Sequence, residues 1–362
     1  MSGRLLRLAC TTAVAAQAVL APVPAAATPD PRRSVAELLT DLQQLYRKTE
    51  QATETYNATT VALERQRAEV ARLDGELAGA RLLLRDSRTE AGRLARQQYQ
   101  SSGGLGPYVR VLLAPDPQHA LDEGHVLGEL ARQRARTVAR LTAAEQRKDA
   151  LARAARKALD TQLGLAARQK RQRDDVQGKL ADVERLLAGL TPAQLAAVAR
   201  LEQQGVTAAQ QRLTTAGALP ADRAATPAGD RAVRYAMDQV GKPYQWGAQG
   251  PDAYDCSGLT SQAWSHAGTP IPRTSQEQWD RLRRVPLNQL RPGDLVVYFP
   301  EATHVAMYVG GGKVVQAPRP GEKVTVSPIA SYPVLGAVRP GTDGRGWSSR
   351  GRTRQAPATE AR

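Results

Sequence analysis

The chain has 362 residues, with 50 Lys and Arg against 35 Asp and Glu, and a net charge of +15 at pH 7. One Phe and 4% aromatic residues are too few to fill a single core of that size. The composition therefore excludes one large globular domain and indicates two or three smaller ones.

The first 27 residues have the three parts of a secretory signal peptide. Arg4 and Arg7 precede a short apolar run at 8–20, and small residues follow as far as Ala27. The run is too short to span a bilayer, and an uncleaved anchor is the weaker alternative. We predict cleavage after Ala27 and a secreted protein. Outside the cell the excess positive charge suits wall polymers and lipid head groups, so we predict no nucleic-acid partner.

Cleavage would also change the cysteine count. The chain has two cysteines, and removal of Cys10 with the signal peptide leaves Cys256 alone. A lone thiol in an exported protein has no internal disulfide partner, so it is either an inert buried residue or a reactive one.

Two heptad patterns follow the signal peptide. The first runs from Leu38 to Leu94, and the second, weaker one runs from Leu127 to Leu190 after a break rich in Gly and Pro at 101–117. Apolar residues at a and d positions are typical of a coiled coil. Two long helices separated by a break can form an antiparallel hairpin. We therefore predict a helical coiled-coil domain over 34–212.

Composition divides the rest of the chain into three parts. Residues 213–228 are rich in Ala, Thr and Pro and indicate a linker. Residues 229–340 gather Trp, Tyr, Gly and β-branched residues and predict a compact domain of helices and short strands. Residues 341–362 are rich in Arg, Ser and Gly and predict a disordered basic tail.

Cys256 lies where a helix of the compact domain is predicted to begin. Asp255 is a typical N-cap, and Leu259, Ala263 and Trp264 follow at helical spacing. The N-terminus of a helix stabilises an anion, so we expect a lowered thiol pKa and reaction with iodoacetamide near neutral pH. This position favours a nucleophile over an inert cysteine.

His304 is the candidate base for that thiol. It begins an alternating strand that turns at three glycines, 310–312, and returns as a second strand ending near Gln316. With a three-residue loop, Gln316 shares a face with His304 and can orient its imidazole, whereas a two-residue loop would turn Gln316 away. A hydrogen-bonded structural histidine is the alternative for His304. The other nearby histidine, His266, is ten residues along the helix from Cys256, too far to reach it.

Five segments of the compact domain resemble the NlpC family of papain-like cell-wall cysteine endopeptidases, in the family's order and spacing. They are Gly241–Gly247 (GKPYQWG), Asp255–Leu259 (DCSGL), Pro272–Ser275 (PRTS), Leu290–Leu295 (LRPGDL) and His304–Gly310 (HVAMYVG). The resemblance covers most of 229–340. The preceding coiled coil resembles that of actinobacterial members that act in cell division and wall remodelling.

The resemblance implies an α+β fold: a papain-like catalytic domain, with helices packed on an antiparallel sheet, preceded by a long α-helical coiled-coil hairpin. It also implies hydrolysis of the bond between D-glutamate and a diamino acid in the peptidoglycan stem peptide. The third triad position is most often His in this family and is Gln here, which implies lower or more substrate-dependent activity. The resemblance implies a catalytic triad of Cys256, His304 and Gln316. Tyr244 and the Cys256 N–H would stabilise the oxyanion. Asp255, Ser257 and Arg273 would line the substrate cleft.

Two other functions remain open at the level of the sequence. A papain-like amidase cutting between the lactyl group and L-alanine would need the same Cys and His, although the DCSGL segment and Tyr244 favour the endopeptidase. A coiled-coil scaffold with little catalysis would dock on a membrane-embedded division complex, a role that can coexist with hydrolysis. We predict no cofactor and no metal site, because the four His and the remaining Cys form no pair at ligand spacing. We also hypothesise that the coiled coil restrains the peptidase until a partner engages it; a simple spacer is the alternative.

Overall fold

The structure is a computed structural model, and it describes residues 34–101, 109, 116–220 and 223–341. The predicted signal peptide and nearly all of the predicted basic tail lie outside the described residues. In the described part of the chain, no helix is both long and apolar enough to cross a membrane.

The N-terminal half is built from long helices, as predicted. α1 and α2 lie side by side as an antiparallel hairpin, with Leu73 and Leu77 packed against Ala155 and Ala158. Most of the predicted seam leucines of α1 are buried because they face α2 or α3. The described helices are α1 (Val35–Ser101), α2 (Pro117–Ala188), α3 (Pro192–Thr215), α4 (Pro227–Met237), α5 (Cys256–His266) and α6 (Ser275–Arg281).

A separate helix, α3, follows the hairpin. Thr191 and Gln194 form a capping box at its start, and Pro192 occupies the first turn, where its missing N–H costs nothing. Val198 packs with Leu38 and Leu42 of α1, so α1 and α3 form one packed unit at this end of the hairpin.

The C-terminal domain is an antiparallel sheet with helices packed on it, which confirms the predicted fold class. The strand order is β1-β6-β2-β3-β4-β5. Along β3, Val305 and Met307 belong to the core cluster that includes α5, whereas Ala306 and Tyr308 face the opposite layer. The strands are β1 (Arg283–Val285), β2 (Leu295–Tyr298), β3 (His304–Gly310), β4 (Lys313–Gln316), β5 (Thr325–Pro328) and β6 (Val334–Arg339).

Candidate active site

Cys256 is the first residue of α5, and the residues around it fix the start of that helix. The Asp255 side chain caps the helix by accepting a hydrogen bond from the Gly258 N–H at 2.6 Å. A Cβ at position 258 would collide with the carbonyl oxygen of Ala248, so only glycine lets the loop before α5 approach this closely. The cap and the glycine together hold Cys256 at the helix N-terminus.

His304 and Gln316 meet across β3 and β4. The ring Nε2 of His304 lies 2.7 Å from Gln316 Oε1, so this nitrogen carries the hydrogen and donates it. The Gln316 amide is itself oriented, because its Nε2 donates to Ser327 Oγ at 2.6 Å. Tyr298 and Tyr332 pack against the imidazole ring. Gln316 thus sets the tautomer and orientation of a buried imidazole.

A bulge in the hairpin places these two residues on one face. Met307 pairs with Val315 and Tyr308 with Val314, but the register then shifts, so that Gly310 pairs with Lys313. The two-residue turn by itself would have turned Gln316 away. The extra residue on β3 restores the register that a three-residue loop gives.

Cys256 and His304 are brought near each other because α5 packs on β3. The backbone N–H of Val305, the residue after His304, donates towards the Cys256 sulfur. Since Gln316 holds Nε2, Nδ1 is the ring nitrogen left for proton exchange with the thiol. This arrangement can carry nucleophilic catalysis.

The predicted cleft residues form one buried network beside Cys256. Arg273 donates from Nη2 to Asp255 Oδ2 at 2.7 Å and from Nη1 to Ser257 Oγ at 2.8 Å. Asp255 is fully buried, so it is a cap and an ion-pair partner within the wall of the cleft. Tyr244 lies in the same core cluster as Cys256, and burial, followed by the nearby Cys256, raises its pKa well above the ordinary value.

Helix α1 fills the cleft. The Glu54 carboxylate accepts hydrogen bonds from Ser257 Oγ at 2.6 Å and from the Ser275 N–H at 3.0 Å, and its Oε1 lies 3.8 Å from the Cys256 sulfur. One turn before it, Glu50 Oε1 lies 3.2 Å from Nδ1 of His304. One turn after it, Asn57 Nδ2 donates to Asp255 Oδ2 at 3.0 Å. We call Glu50, Glu54 and Asn57 the blocking face of α1.

Further contacts flank the blocking face. Tyr56 packs edge-on against Trp246, with ring centroids 5.1 Å apart. Arg47 donates to Glu301 at 2.6 Å and lies over the ring of Phe299. These contacts extend the packing of α1 on the C-terminal domain beyond the blocking face in both directions along the helix.

The covered cleft overturns the expectation of a lowered thiol pKa. Burial, and then the negative charges of Glu54, Asp255 and Glu50, raise the pKa of Cys256 well above its ordinary value, and these outweigh the Val305 hydrogen bond. The helix N-terminus is present as predicted, but the sequence did not reveal the carboxylates from α1. In this arrangement the sulfur is a thiol, and it is not poised for attack.

The pKa values of Glu54 and His304 are also shifted in the covered cleft. Burial raises the pKa of Glu54 to about 7, with repulsion from Asp255 adding to it and Arg273, Ser257 and Ser275 opposing it. For His304, burial alone would lower the pKa, but the Glu50 carboxylate and the Gln316 hydrogen bond together raise it. The closed cleft therefore holds protons more tightly than an open one would.

The sequence analysis missed the blocking face for an identifiable reason. Glu50, Glu54 and Asn57 have the i, i+4, i+7 spacing of one helix face beside the heptad seam. Three polar residues on a coiled-coil helix ordinarily indicate a solvated face. Burial of two carboxylates on one face is visible only once the catalytic domain is packed against it.

His, Cys, Asp and Glu form no cluster suited to a metal ion in the described part of the chain. The two histidines of the hairpin, His119 and His125, are unconnected with the cleft, and His119 Nδ1 contacts its own N-cap residue, Asp116.

Comparison with known proteins finds relatives that resemble the C-terminal part of the chain. Residues 241–335 match the NlpC/P60 family. A probable endopeptidase of Corynebacterium glutamicum is 43% identical over 122 residues, covering 33% of this chain and 58% of that protein. The peptidoglycan endopeptidase RipA of Mycobacterium tuberculosis is 35% identical over 116 residues, covering 28% of this chain and 25% of that one. The crystal structure of the NlpC/p60 domain of the peptidoglycan hydrolase SagA is 32% identical, with 31% of this chain and 97% of that chain covered and a TM-score of 0.29.

The family match and the two sequence relatives confirm the resemblance found in the sequence. The family match lies at 241–335, and this chain spans less than two thirds of the length of these curated relatives.

Proposed function

Because residues 241–335 match the NlpC/P60 family, we propose that this protein is a secreted, cell-wall-associated cysteine endopeptidase. Its substrate is the peptidoglycan stem peptide, and the bond cut joins D-glutamate to the diamino acid. The observation that carries the proposal is the set formed by Cys256 at a helix N-terminus, His304 beside it, and Gln316 bound to the far side of the imidazole.

The proposed reaction uses these groups in two steps. Nδ1 of His304 takes the Cys256 proton as the sulfur attacks the carbonyl carbon of D-glutamate, and the same nitrogen then protonates the departing amine of the diamino acid. Water next attacks the thioester, giving the free carboxylate and restoring the thiol. The Cys256 N–H and the Tyr244 hydroxyl stabilise the oxyanion of both tetrahedral intermediates. Gln316 keeps the imidazole oriented throughout.

The arrangement described above is, in this proposal, the resting state. Glu50 occupies the position beside the nitrogen that must accept the thiol proton, and Glu54 occupies the cleft next to the sulfur. Substrate can enter only after α1 leaves. Such restraint is the role hypothesised for the coiled coil, and it suits a secreted wall hydrolase whose activity must be confined to particular sites.

Release requires an event that moves the helical hairpin. We propose that a partner in a membrane-embedded division complex engages the hairpin at a distance from the cleft. Exposed apolar side chains towards the break, including Leu83 and Leu121, offer a surface for that contact.

The test is mass spectrometry of muropeptides after purified peptidoglycan is incubated with the full chain. We compare the wild type with Glu54→Arg, which opens the cleft, and with Glu54→Arg/Cys256→Ala as the inactive match. The proposal predicts fragments with a new N-terminal diamino acid, most from Glu54→Arg and none from the Cys256→Ala protein.

Each alternative predicts a different result. Intact stems with a free L-alanine amine would identify an amidase instead. Absence of cleavage by Glu54→Arg, with Cys256 shown by labelling to be accessible, would leave a scaffold and overturn the proposed activity.

A further inference from the structure

Arg319 lies in the loop between β4 and β5, close to the catalytic histidine, and holds a carboxylate that belongs to the helical half of the chain. Its Nη1 and Nη2 donate to the two carboxylate oxygens of Glu202 on α3, at 2.9 and 3.0 Å. This fork is the bidentate geometry with which arginine recognises carboxylates. Arg319 is mostly buried, and its guanidinium packs over the ring of Tyr46.

The same guanidinium is oriented from within the catalytic domain. Glu322, three residues along the loop, accepts from Nε at 2.6 Å. Pro318 and Pro320 flank Arg319 and restrict its backbone. If α3 is withdrawn, Glu322 remains and holds Nε, so Nη1 and Nη2 are left pointing to where the Glu202 carboxylate lay.

A cavity of about 430 Å³ lies between α1 and the C-terminal domain and reaches this fork. Glu50 of α1 lines one wall, and Phe299, Tyr332 and Arg319 of the C-terminal domain line the other. Glu50 also contacts Nδ1 of His304, and Tyr332 packs on the His304 ring with centroids 4.9 Å apart. Two residues that contact the histidine therefore share this cavity with Arg319.

The chemistry of the reaction says which part of the substrate lies against the C-terminal domain's side of this cavity once α1 has left. The histidine must protonate the departing nitrogen, so the residue that carries that nitrogen lies on the histidine side of the scissile bond. In the proposed reaction that residue is the diamino acid. Arg319 thus lies on the side of the leaving group, whereas Ser257, Asp255 and Arg273 lie beside Cys256.

From this geometry we infer that Arg319 determines specificity for the diamino acid: it binds a carboxylate on the side chain of that residue. The preferred stem peptide carries diaminopimelic acid with a free side-chain carboxylate. A stem with lysine, whose side chain has no carboxylate, or with the amidated diaminopimelic acid binds less well. In the resting state Glu202 occupies the position of that carboxylate. The inference rests on the proposed function and adds to it the residue that recognises the side chain of the diamino acid.

The test measures kcat/KM of the full chain, in the Glu54→Arg background that opens the cleft, for three matched L-Ala–γ-D-Glu–X–D-Ala peptides. X is diaminopimelic acid, its side-chain amide, or lysine. The quantity compared is the ratio of kcat/KM between peptides, because the fraction of open enzyme cancels in that ratio. We expect the Glu54→Arg protein to prefer the free carboxylate about tenfold or more, the usual effect of a charge-assisted hydrogen-bonded pair.

Two variants separate specificity from release. Arg319→Gln should bring the ratio close to one. Glu202→Gln weakens the same contact from the other side, so it should raise all three rates and leave the ratio unchanged. Arg319→Lys keeps the charge but not the two-pronged geometry, so it should give an intermediate ratio. It replaces Arg319→Gln if a thermal unfolding measurement shows that Arg319→Gln is not folded.

The outcomes distinguish the two proposals. A ratio near one in the Glu54→Arg protein, or a ratio that Arg319→Gln or Arg319→Lys leaves unchanged, would overturn the role of Arg319 while cleavage itself stands. No cleavage of any peptide even in the Glu54→Arg background, in which the cleft is open, would count against the endopeptidase activity, and the inference would fall with it.

Discussion

The carboxylate of Glu54 accepts a hydrogen bond from the hydroxyl of Ser257, which directly follows Cys256, although Glu54 and Ser257 are 203 positions apart in the chain. Glu54 also accepts from the backbone of Ser275 and lies near Arg273. In the proposed function, Glu54 therefore occupies groups that would otherwise bind a carboxylate of the substrate, and the two compete.

Glu54→Arg should expose Cys256. A guanidinium beside Arg273 places two like charges in a buried site, which costs several kcal/mol, so α1 should leave the cleft. We expect Cys256 to react with iodoacetamide at least about tenfold faster than in the wild type. The matched control is Glu64→Arg, on the exposed surface of the same helix, which should not change the rate. Equal labelling of all three proteins would show that α1 does not protect the thiol.

Opening of the cleft should depend on pH through Glu54. Its pKa is about 7 in the closed state against an ordinary 4.5, so the closed state binds this proton more tightly. Between those two values a rise in pH therefore weakens the closed state, and above about 7 the effect is complete. The raised pKa of His304 acts in the same direction.

The measurement is the rate of iodoacetamide labelling of the wild type divided by that of Glu54→Gln. Ionisation of the Cys256 thiol and of His304 affects both proteins, so the ratio largely removes these two contributions to the pH dependence. We expect this ratio to rise by about ten- to a hundredfold from pH 4.5 to 7 and then to level off. A flat or falling ratio would contradict the assignment to Glu54.

Gln316 should act as a positioning residue. In the Glu54→Arg background, Gln316→Ala should lower kcat about tenfold, the effect of one hydrogen bond, with little change in KM. His304→Ala should lower kcat by about a hundredfold or more, since it removes the general base itself. Gln316→His should retain or raise activity, because a second imidazole can also orient the first. No loss in Gln316→Ala would show that the His304–Gln316 contact is unimportant for catalysis.

Arg273 should stabilise the catalytic domain as well as shape the cleft. Its partner Asp255 is fully buried, so Arg273→Ala leaves a buried carboxylate without its countercharge. We expect a loss of about 3–5 kcal/mol in the free energy of unfolding, measured by urea denaturation. Arg281→Ala removes an exposed pair with Glu277 and should cost at most about 1 kcal/mol. Equal losses would mean that the buried pair contributes no more than a surface pair.

The catalytic elements could be predicted from the sequence because their signals are local. Asp255 before Cys256 marks a helix start, and the alternation after His304 marks a strand. The contact between His304 and Gln316 was left open, because the loop length decided the face. The bulge that settled it depends on the pairing of β3 with β4, which the residues of the turn do not determine by themselves.

The state of the active site was decided by tertiary structure alone. The sequence by itself determined that two long helices precede a peptidase-like domain, since heptads and motifs are properties of neighbouring residues. It could not determine that Glu50 and Glu54 face His304 and Cys256, because a carboxylate on a helix surface looks the same whether it meets water or a cleft. For the same reason the prediction that the Cys256 pKa is lowered was wrong, since the pKa is raised. The helix N-terminus is a local feature that lowers the pKa, whereas the charges of Glu54 and Glu50, which help to raise it, come from a helix about two hundred positions away.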